Sequence, residues 1–374
     1  MRPEAVEAML PFLTDSFANP SGGHAAARAA KTALEEARET VASGLGAAPG
    51  EVVFTGGGTE ADNLAIEGAA RMLRSRDGGT GVVTCAFEHK AVLAACDRLE
   101  SEGFRIARVP ATAGGIVDLD ALSDALDADT AVVSLMTVNN EVGTVQPLAE
   151  AAAIVRDRAP GAVLHTDAVQ AVPWIDVAAA TAPADLVAIS AHKFGGPKGT
   201  GALVVRGDVA LQPLLEGGGQ ERGLRAGTVN VAGVVAMAAA LRVTIDRRAD
   251  ELARITVLRD RLLGGLEAAI PGLAVNGDAD RKVAGSCHVR VPGVEAETLL
   301  VALDRAGICA AAGSSCSSGA TEPSYVLAAM GMDRVDALSS IRLSLGFAST
   351  AADIDAALTV IPEVVRTLRE RSAA

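Results

Sequence analysis

Residues 185–199 read Asp185-Leu186-Val187-Ala188-Ile189-Ser190-Ala191-His192-Lys193-Phe194-Gly195-Gly196-Pro197-Lys198-Gly199. A nearly continuous apolar run ends in a hydroxyl, an imidazole and an amine, and two glycines and a proline stop it. Such a run without polar alternation is what a strand buried on both faces looks like. Working outward, comparable runs lie at Glu51 to Phe54, Gly81 to Phe87, Phe104 to Val109, Ala131 to Thr137, Ala162 to Thr166 and Gly201 to Val205. The connectors Glu60 to Leu73, Lys90 to Ser101, Leu119 to Leu126 and Leu148 to Arg158 space their apolar residues for one buried helical face. Strand and helix in alternation predict an α/β fold with a mostly parallel, seven-stranded sheet.

The rest of the chain is patterned differently. From Val229 to Ile270 a helix-favouring stretch is interrupted only by Gly233, Gly264 and Gly265. It is too long for an ordinary single helix, so we expect at least two. After Pro271 come Leu273 to Asn276, Ser286 to Val291, a helix over Glu295 to Ala306, a helix over Ser324 to Met330, a strand over Ile341 to Leu345 and a final helix from Ala351. That is a smaller α+β C-terminal domain. The expected division is a large domain over 1–245, with residues 1–20 packing on the small domain, and a small domain over 246–374.

With 49% hydrophobic and 21% charged residues in 374, the chain is globular, and aromatics at 2% leave Val, Leu, Ile and Ala to build its core. A net charge of -13 argues against a broad nucleic-acid or anionic-membrane surface. Acidic residues precede any apolar run at the N-terminus, and no apolar stretch reaches membrane-spanning length, so the expected location is the cytoplasm. The five cysteines form an odd set with no C-x-x-C pair, which fits a reduced compartment without a disulfide framework.

Ligands of open parallel sheets collect beyond the carboxyl ends of the strands. Thr59, Asn140, Asp167 and Lys193 each follow a different predicted strand and converge there. A strand-end lysine next to a hydroxyl and an imidazole, with an aspartate from a neighbouring strand, suits a pyridoxal 5'-phosphate (PLP) Schiff base. Asp167 would hold the pyridine nitrogen protonated, and the position of Lys193 before two glycines predicts a buried amine of lowered pKa. Gly56-Gly57-Gly58-Thr59 enters a helix through glycines, as a phosphate cradle does, but no lysine follows to make a nucleotide triphosphate loop. His89 follows a strand and could stack on the ring or move a proton. Cys316, in Gly313-Ser314-Ser315-Cys316-Ser317-Ser318-Gly319, is expected to be an exposed thiol, whereas Cys85, Cys96, Cys287 and Cys309 are expected to be inert in apolar strands or helices. Cys85, His89 and Cys96 match no zinc spacing, so no metal site is expected.

Asn139-Asn140-Glu141-Val142-Gly143-Thr144-Val145-Gln146-Pro147, His165 to Gln170, Ser190 to Gly199, Gly217 to Thr228 and Ser340 to Gly346 occur in the order of the cysteine desulfurase family. The chain resembles that family over nearly its whole length, and the segment from Cys316 to Leu327 is similar to its NifS/IscS branch. The resemblance implies the PLP-dependent transferase fold type I and a homodimer. It implies that Lys193 carries PLP, that Asp167 and Gln170 contact the ring and His89 stacks on it, and that Gly58, Thr59, Ser190 and His192 hold the phosphate with Thr228 of the partner subunit. Asn140 and Arg342 would hold L-cysteine, and Cys316 would take its sulfur as a persulfide for a sulfur-acceptor protein, an iron-sulfur scaffold or a sulfur carrier.

Three features depart from the family. The chain starts just beyond the family's Tyr-Leu-Asp-x-Ala-Thr-Thr segment, which implies a displaced start or a pocket lacking one wall. Asn19 to Arg28 replaces one serine and one glycine that are usual in the family with other residues, and Phe347 stands where a second arginine is common. The alternatives are a selenocysteine lyase, a PLP aminotransferase, and a scaffold subunit for sulfur carriers. Any nucleic acid would be served indirectly.

Overall fold

The structure is a computed structural model that describes residues 1–313 and 322–372. The chain divides into two compact units. The first comprises Met1–Val109, Leu119–Val138 and Pro147–Arg248, and the second Pro110–Asp118, Asn139–Gln146 and the chain from Ala249 onward. A single cut near residue 245 does not anticipate the two short excursions into the second unit. Residues 1–20 group with the first unit, where the sequence reading puts them on the small domain. The Arg2 N–H donates to Gly195 at 2.8 Å and Glu4 pairs with Arg247 at 2.8 Å, which ties the helix α1 (Pro3–Leu13) there.

The first unit holds a seven-stranded sheet in the order β1 (Val52–Thr55), β7 (Gly201–Val205), β6 (Leu186–Ser190), β5 (Val163–Asp167), β4 (Thr130–Ser134), β2 (Gly81–Cys85) and β3 (Arg105–Val109). Only β7 runs against the others, pairing antiparallel with both β1 and β6. Every residue of β1, β2, β4, β6 and β7 is buried, as the unbroken apolar runs imply. At one edge β3 exposes Arg105, a charge that discourages pairing with another chain. Around the sheet lie α2 (Ala25–Gly44), α3 (Gly58–Asp77), α4 (Lys90–Ser101), α5 (Leu119–Ala125), α6 (Leu148–Arg158) and the single turn α7 (Val177–Ala180). The α3 helix packs across β1, β4, β5, β6 and β7 through Ala61, Leu64, Ala65 and Ala69, small enough to bring its backbone close to the strands.

One helix, α8 (Val231–Ala269), replaces the two expected over Val229 to Ile270. Gly233 does not break it, because a Cβ there would meet the Asn230 side chain at 2.4 Å and Thr200 Oγ1 at 2.5 Å; the glycine serves close approach, not a bend.

The second unit is built on the antiparallel sheet β10 (Ser340–Ser344), β9 (Ser286–Arg290) and β8 (Ala274–Val275). Its helices are α9 (Ala296–Arg305), α10 (Tyr325–Ala329), α11 (Arg334–Leu338) and α12 (Ala351–Ser372). Cys85, Cys96 and Cys287 are buried as expected, but Cys309 is exposed: Gly307, at φ 82°, follows the end of α9 and turns the chain out before it. No described helix is long and apolar enough to cross a membrane.

Candidate active site

The carboxyl ends of β1, β2, β5 and β6 lie at one end of the sheet and lead into Gly58, His89, Asp167 and Ser190. After β1 the chain turns at Gly56-Gly57 and starts α3 at Gly58, whose first N–H groups have no intrahelical acceptor. A Cβ on Gly58 would meet Val169 Cγ2 at 2.7 Å and Ser190 Cβ at 3.4 Å, and one on Gly201 would lie 2.7 Å from the Gly57 carbonyl carbon. Only glycine at both places lets the turn settle over the end of β6. There Ser190 Oγ lies 2.8 Å from His192 Nδ1. Free amides, a hydroxyl, an imidazole and the positive end of a helix form an anion cradle. Thr59, next in the helix, is exposed.

The loop that bears Thr228 is fastened to this cradle. Arg225 Nε donates to Glu60 Oε1 at 2.8 Å, and the Glu60 carboxylate also accepts the Gly56 N–H at 2.8 Å. Glu221 and Arg222 in the same loop hold φ of 47° and 57°, left-handed values that strain a side-chain-bearing residue. The buried Arg38 guanidinium compensates by gripping Glu221 in a fork, at 2.7 and 2.9 Å.

Beside the cradle is a buried acidic and imidazole cluster. Asp167 closes β5 and accepts the Val169 N–H at 2.8 Å. Burial, and then the charge of Asp62, pushes its carboxyl up to about 7. His89 caps α4, its Nδ1 accepting the Ala91 N–H at 3.2 Å, so the neutral ring carries its proton on Nε2. Burial holds the His89 pKa below its ordinary value. Ligand atoms of Asp62, His89 and Asp167 all lie within 4.8 Å of one another.

Lys193 differs from expectation in one respect: it is exposed, not buried. Ala191–Lys193 forms a short 3-10 turn in which only Ala191 faces inward, so the chain has left the sheet before the lysine. Gln170 is half-buried and Thr228 exposed. In the second unit, Arg342 Nη1 on β10 donates to the Asn140 carbonyl at 2.7 Å, and Asn140 Oδ1 is buried without a partner among the described residues. Cys316 lies outside the described residues.

The residues fit PLP. The Gly58 cradle leaves no room for a Cβ, as close approach of a phosphate to backbone requires, and Asp167 offers a buried carboxylate for a pyridine nitrogen. Sequence reasoning missed Asp62 and Glu88. Glu88 is fully buried with Oε1 accepting the Met136 N–H at 2.6 Å. Asp62 had a signal: with Ala65, Ile66, Ala69 and Ala70 it shares the buried stripe of α3, a carboxylate where the spacing asks for an apolar residue.

Fold and site together define a PLP-dependent enzyme, and comparison with known proteins agrees. Residues 1–357 match the aminotransferase class-V family, to which the chain belongs. Within that family it is a cysteine desulfurase: it is 40% identical to the cysteine desulfurase IscS of Clostridium botulinum over 99% of this chain and 93% of that protein. A solved NifS-like protein superposes with a TM-score of 0.92 at 34% identity, covering 98% of this chain and 96% of the other. A second solved structure, SspA in complex with cysteine, superposes with a TM-score of 0.81 at 31% identity over 92% of this chain and 95% of the other.

Proposed function

We propose that this chain removes sulfur from L-cysteine to leave L-alanine, and that Cys316 receives the sulfur as a persulfide. The observation that carries the reading is the meeting of a glycine-lined anion cradle with buried Asp167 and neutral His89 at the ends of adjacent loops. The relative solved with cysteine supports the choice of substrate.

PLP, when bound, accepts the electron pair left at the substrate Cα when its proton departs. Gly58, Thr59, Ser190 and His192 would hold the phosphate, joined in a homodimer by Thr228 of the partner subunit. Asp167 would keep the ring nitrogen protonated, Gln170 would contact the ring, and His89 would stack on it and move a proton. The exposed Lys193 amine would hold the cofactor and would serve as the base that takes the Cα proton; exposure leaves it room to swing. Arg342 pairs with the substrate carboxylate and Asn140 assists it. The Cβ–S bond then breaks with its electron pair staying on carbon, which is protonated to alanine, as the Cys316 thiolate forms the new S–S bond. A sulfur-acceptor protein, such as an iron-sulfur scaffold or a sulfur carrier, consumes the persulfide, in the cytoplasm.

The test is an absorbance spectrum of the purified protein, with products assayed after adding L-cysteine. A cofactor band near roughly 420 nm that shifts with cysteine, with alanine and sulfide formed together, is expected. 3-Mercaptopyruvate in place of alanine overturns desulfuration in favour of transamination. Cys316→Ala is expected to keep the band and lose the persulfide.

A further inference from the structure

Behind Asp167 lies a second layer that the proposed reaction does not use. His165 and Asp167 sit two apart on β5 and therefore face the same side of the sheet, the side on which α3 presents Asp62. Asp62 Oδ1 is 3.5 Å from His165 Nε2, and His165 Nδ1 is 2.9 Å from Ser134 Oγ on β4. Asp62 and His165 are 1% and 0% exposed, yet neither Oδ1 nor Nε2 has a hydrogen-bond partner among the described residues. Two unpaired polar atoms facing each other in the core are costly unless a proton lies between them.

We infer that Asp62 and His165 form a buried proton-holding pair, with Asp62 acting as a positioning residue that sets how firmly the Asp167 side of the site keeps its own proton. The inference rests on the reading of Asp167 as the partner of the ring nitrogen. Burial pushes Asp62 up to about 8 and His165 down to about 4. At neutral pH Asp62 therefore donates its proton to His165 Nε2, the imidazole donates from Nδ1 to Ser134, and the pair is uncharged. Above about pH 8 Asp62 ionises and places a negative charge beside Asp167, which favours retention of a proton there. The other titratable groups around Asp167 are Glu88, whose pKa burial and the Asp167 charge raise well above the ordinary value, and His89, whose pKa burial and the Lys193 and Lys90 charges lower.

The experiment reads the ring nitrogen directly: holoenzyme reconstituted with PLP labelled with 15N in the ring is titrated by NMR. Asp62→Asn, which keeps the pair neutral through the alkaline range, is expected to lower the alkaline midpoint of the ring-nitrogen signal by about one unit, a tenfold loss of proton affinity, and to make a two-step curve single. If that variant does not fold, His165→Gln reads the same midpoint. An unchanged curve in the folded variant overturns the pair. Asp167→Asn tests the underlying reading separately: it is expected to abolish ring-nitrogen protonation near neutral pH, and if protonation survives, that reading fails whatever Asp62 does.

Discussion

The first unit buries ionisable groups in two places, and it treats them in opposite ways. Arg38 and Glu221 are fully paired: besides their fork, Glu221 accepts the Phe54 N–H at 2.8 Å, Arg38 donates to the Val52 carbonyl at 2.9 Å, and the guanidinium lies 4.6 Å from the Phe54 ring centroid. Asp62, His165 and Asp167 are shut away as completely, yet Asp62 Oδ1 and His165 Nε2 have no partner among the described residues. A saturated pair can only hold shape, and it holds the strained Glu221-Arg222 turn. An unsaturated cluster keeps its capacity to exchange protons and so belongs to the chemistry.

That contrast can be broken by substitution. The largest effect is expected outside both places: Lys193→Ala should lower turnover by at least about 10^4-fold and abolish the cofactor band, measured by alanine release and absorbance. Glu221→Ala should cost about 3 kcal/mol in urea-induced unfolding because it leaves the buried Arg38 guanidinium with the half-exposed Glu35 carboxylate, 3.1 Å away, as its remaining counter-charge among the described residues; a loss below about 1 kcal/mol would show the pair to be ornamental. Asp167→Asn should lower kcat by about 10^2–10^3-fold with unfolding free energy near wild type, the reverse of the Glu221 outcome.

Two smaller effects sharpen the contrast. Asp62 is raised from 3.8 to about 8, so the folded chain holds a proton that the unfolded chain releases. Its contribution is complete below pH 3.8 and is lost as pH rises through about 8, so Asp62→Asn should gain stability over wild type across that window. His165, lowered from 6.5 to about 4, tilts the other way: its contribution is present above pH 6.5 and lost as pH falls toward 4. Chemical denaturation at several pH values reads both slopes, and a flat difference for Asp62→Asn removes Asp62 from the titrating set. Smallest of all, Arg105→Ala should cost less than about 1 kcal/mol, because its 2.8 Å pair with Asp127 joins two half-exposed side chains on the edge strand.

The two places also differ in how legible they are in the sequence. Strand runs such as Gly201 to Val205 and helices such as Lys90 to Ser101 and Leu148 to Arg158 match their observed bounds, because periodicity records burial directly. Asp167, His89 and the Gly58 turn stand at strand ends, where position alone suggests a role. Asp62 is inside a helix, and its meaning depends on which strand residue it meets. The exposure of Lys193 and of Cys309 depends on short turns that reverse a side chain within one or two residues, a scale below any apolar pattern. Gly233 misled for a related reason: a glycine that admits a neighbour and a glycine that ends a helix are the same letter.

The pairing of β1 with β7 carries a consequence in time. Val52 sits opposite Val204, so β1 leaves the ribosome about 150 residues before its only sheet partner among the described strands. For on the order of ten to thirty seconds of synthesis, four residues destined for complete burial stay uncovered beside the turn that will cradle the cofactor. Because the Gly57 turn packs against Gly201, the cradle is not complete before the sheet closes, and ligand binding there adds no stability to the chain until Gly201–Val205 arrives.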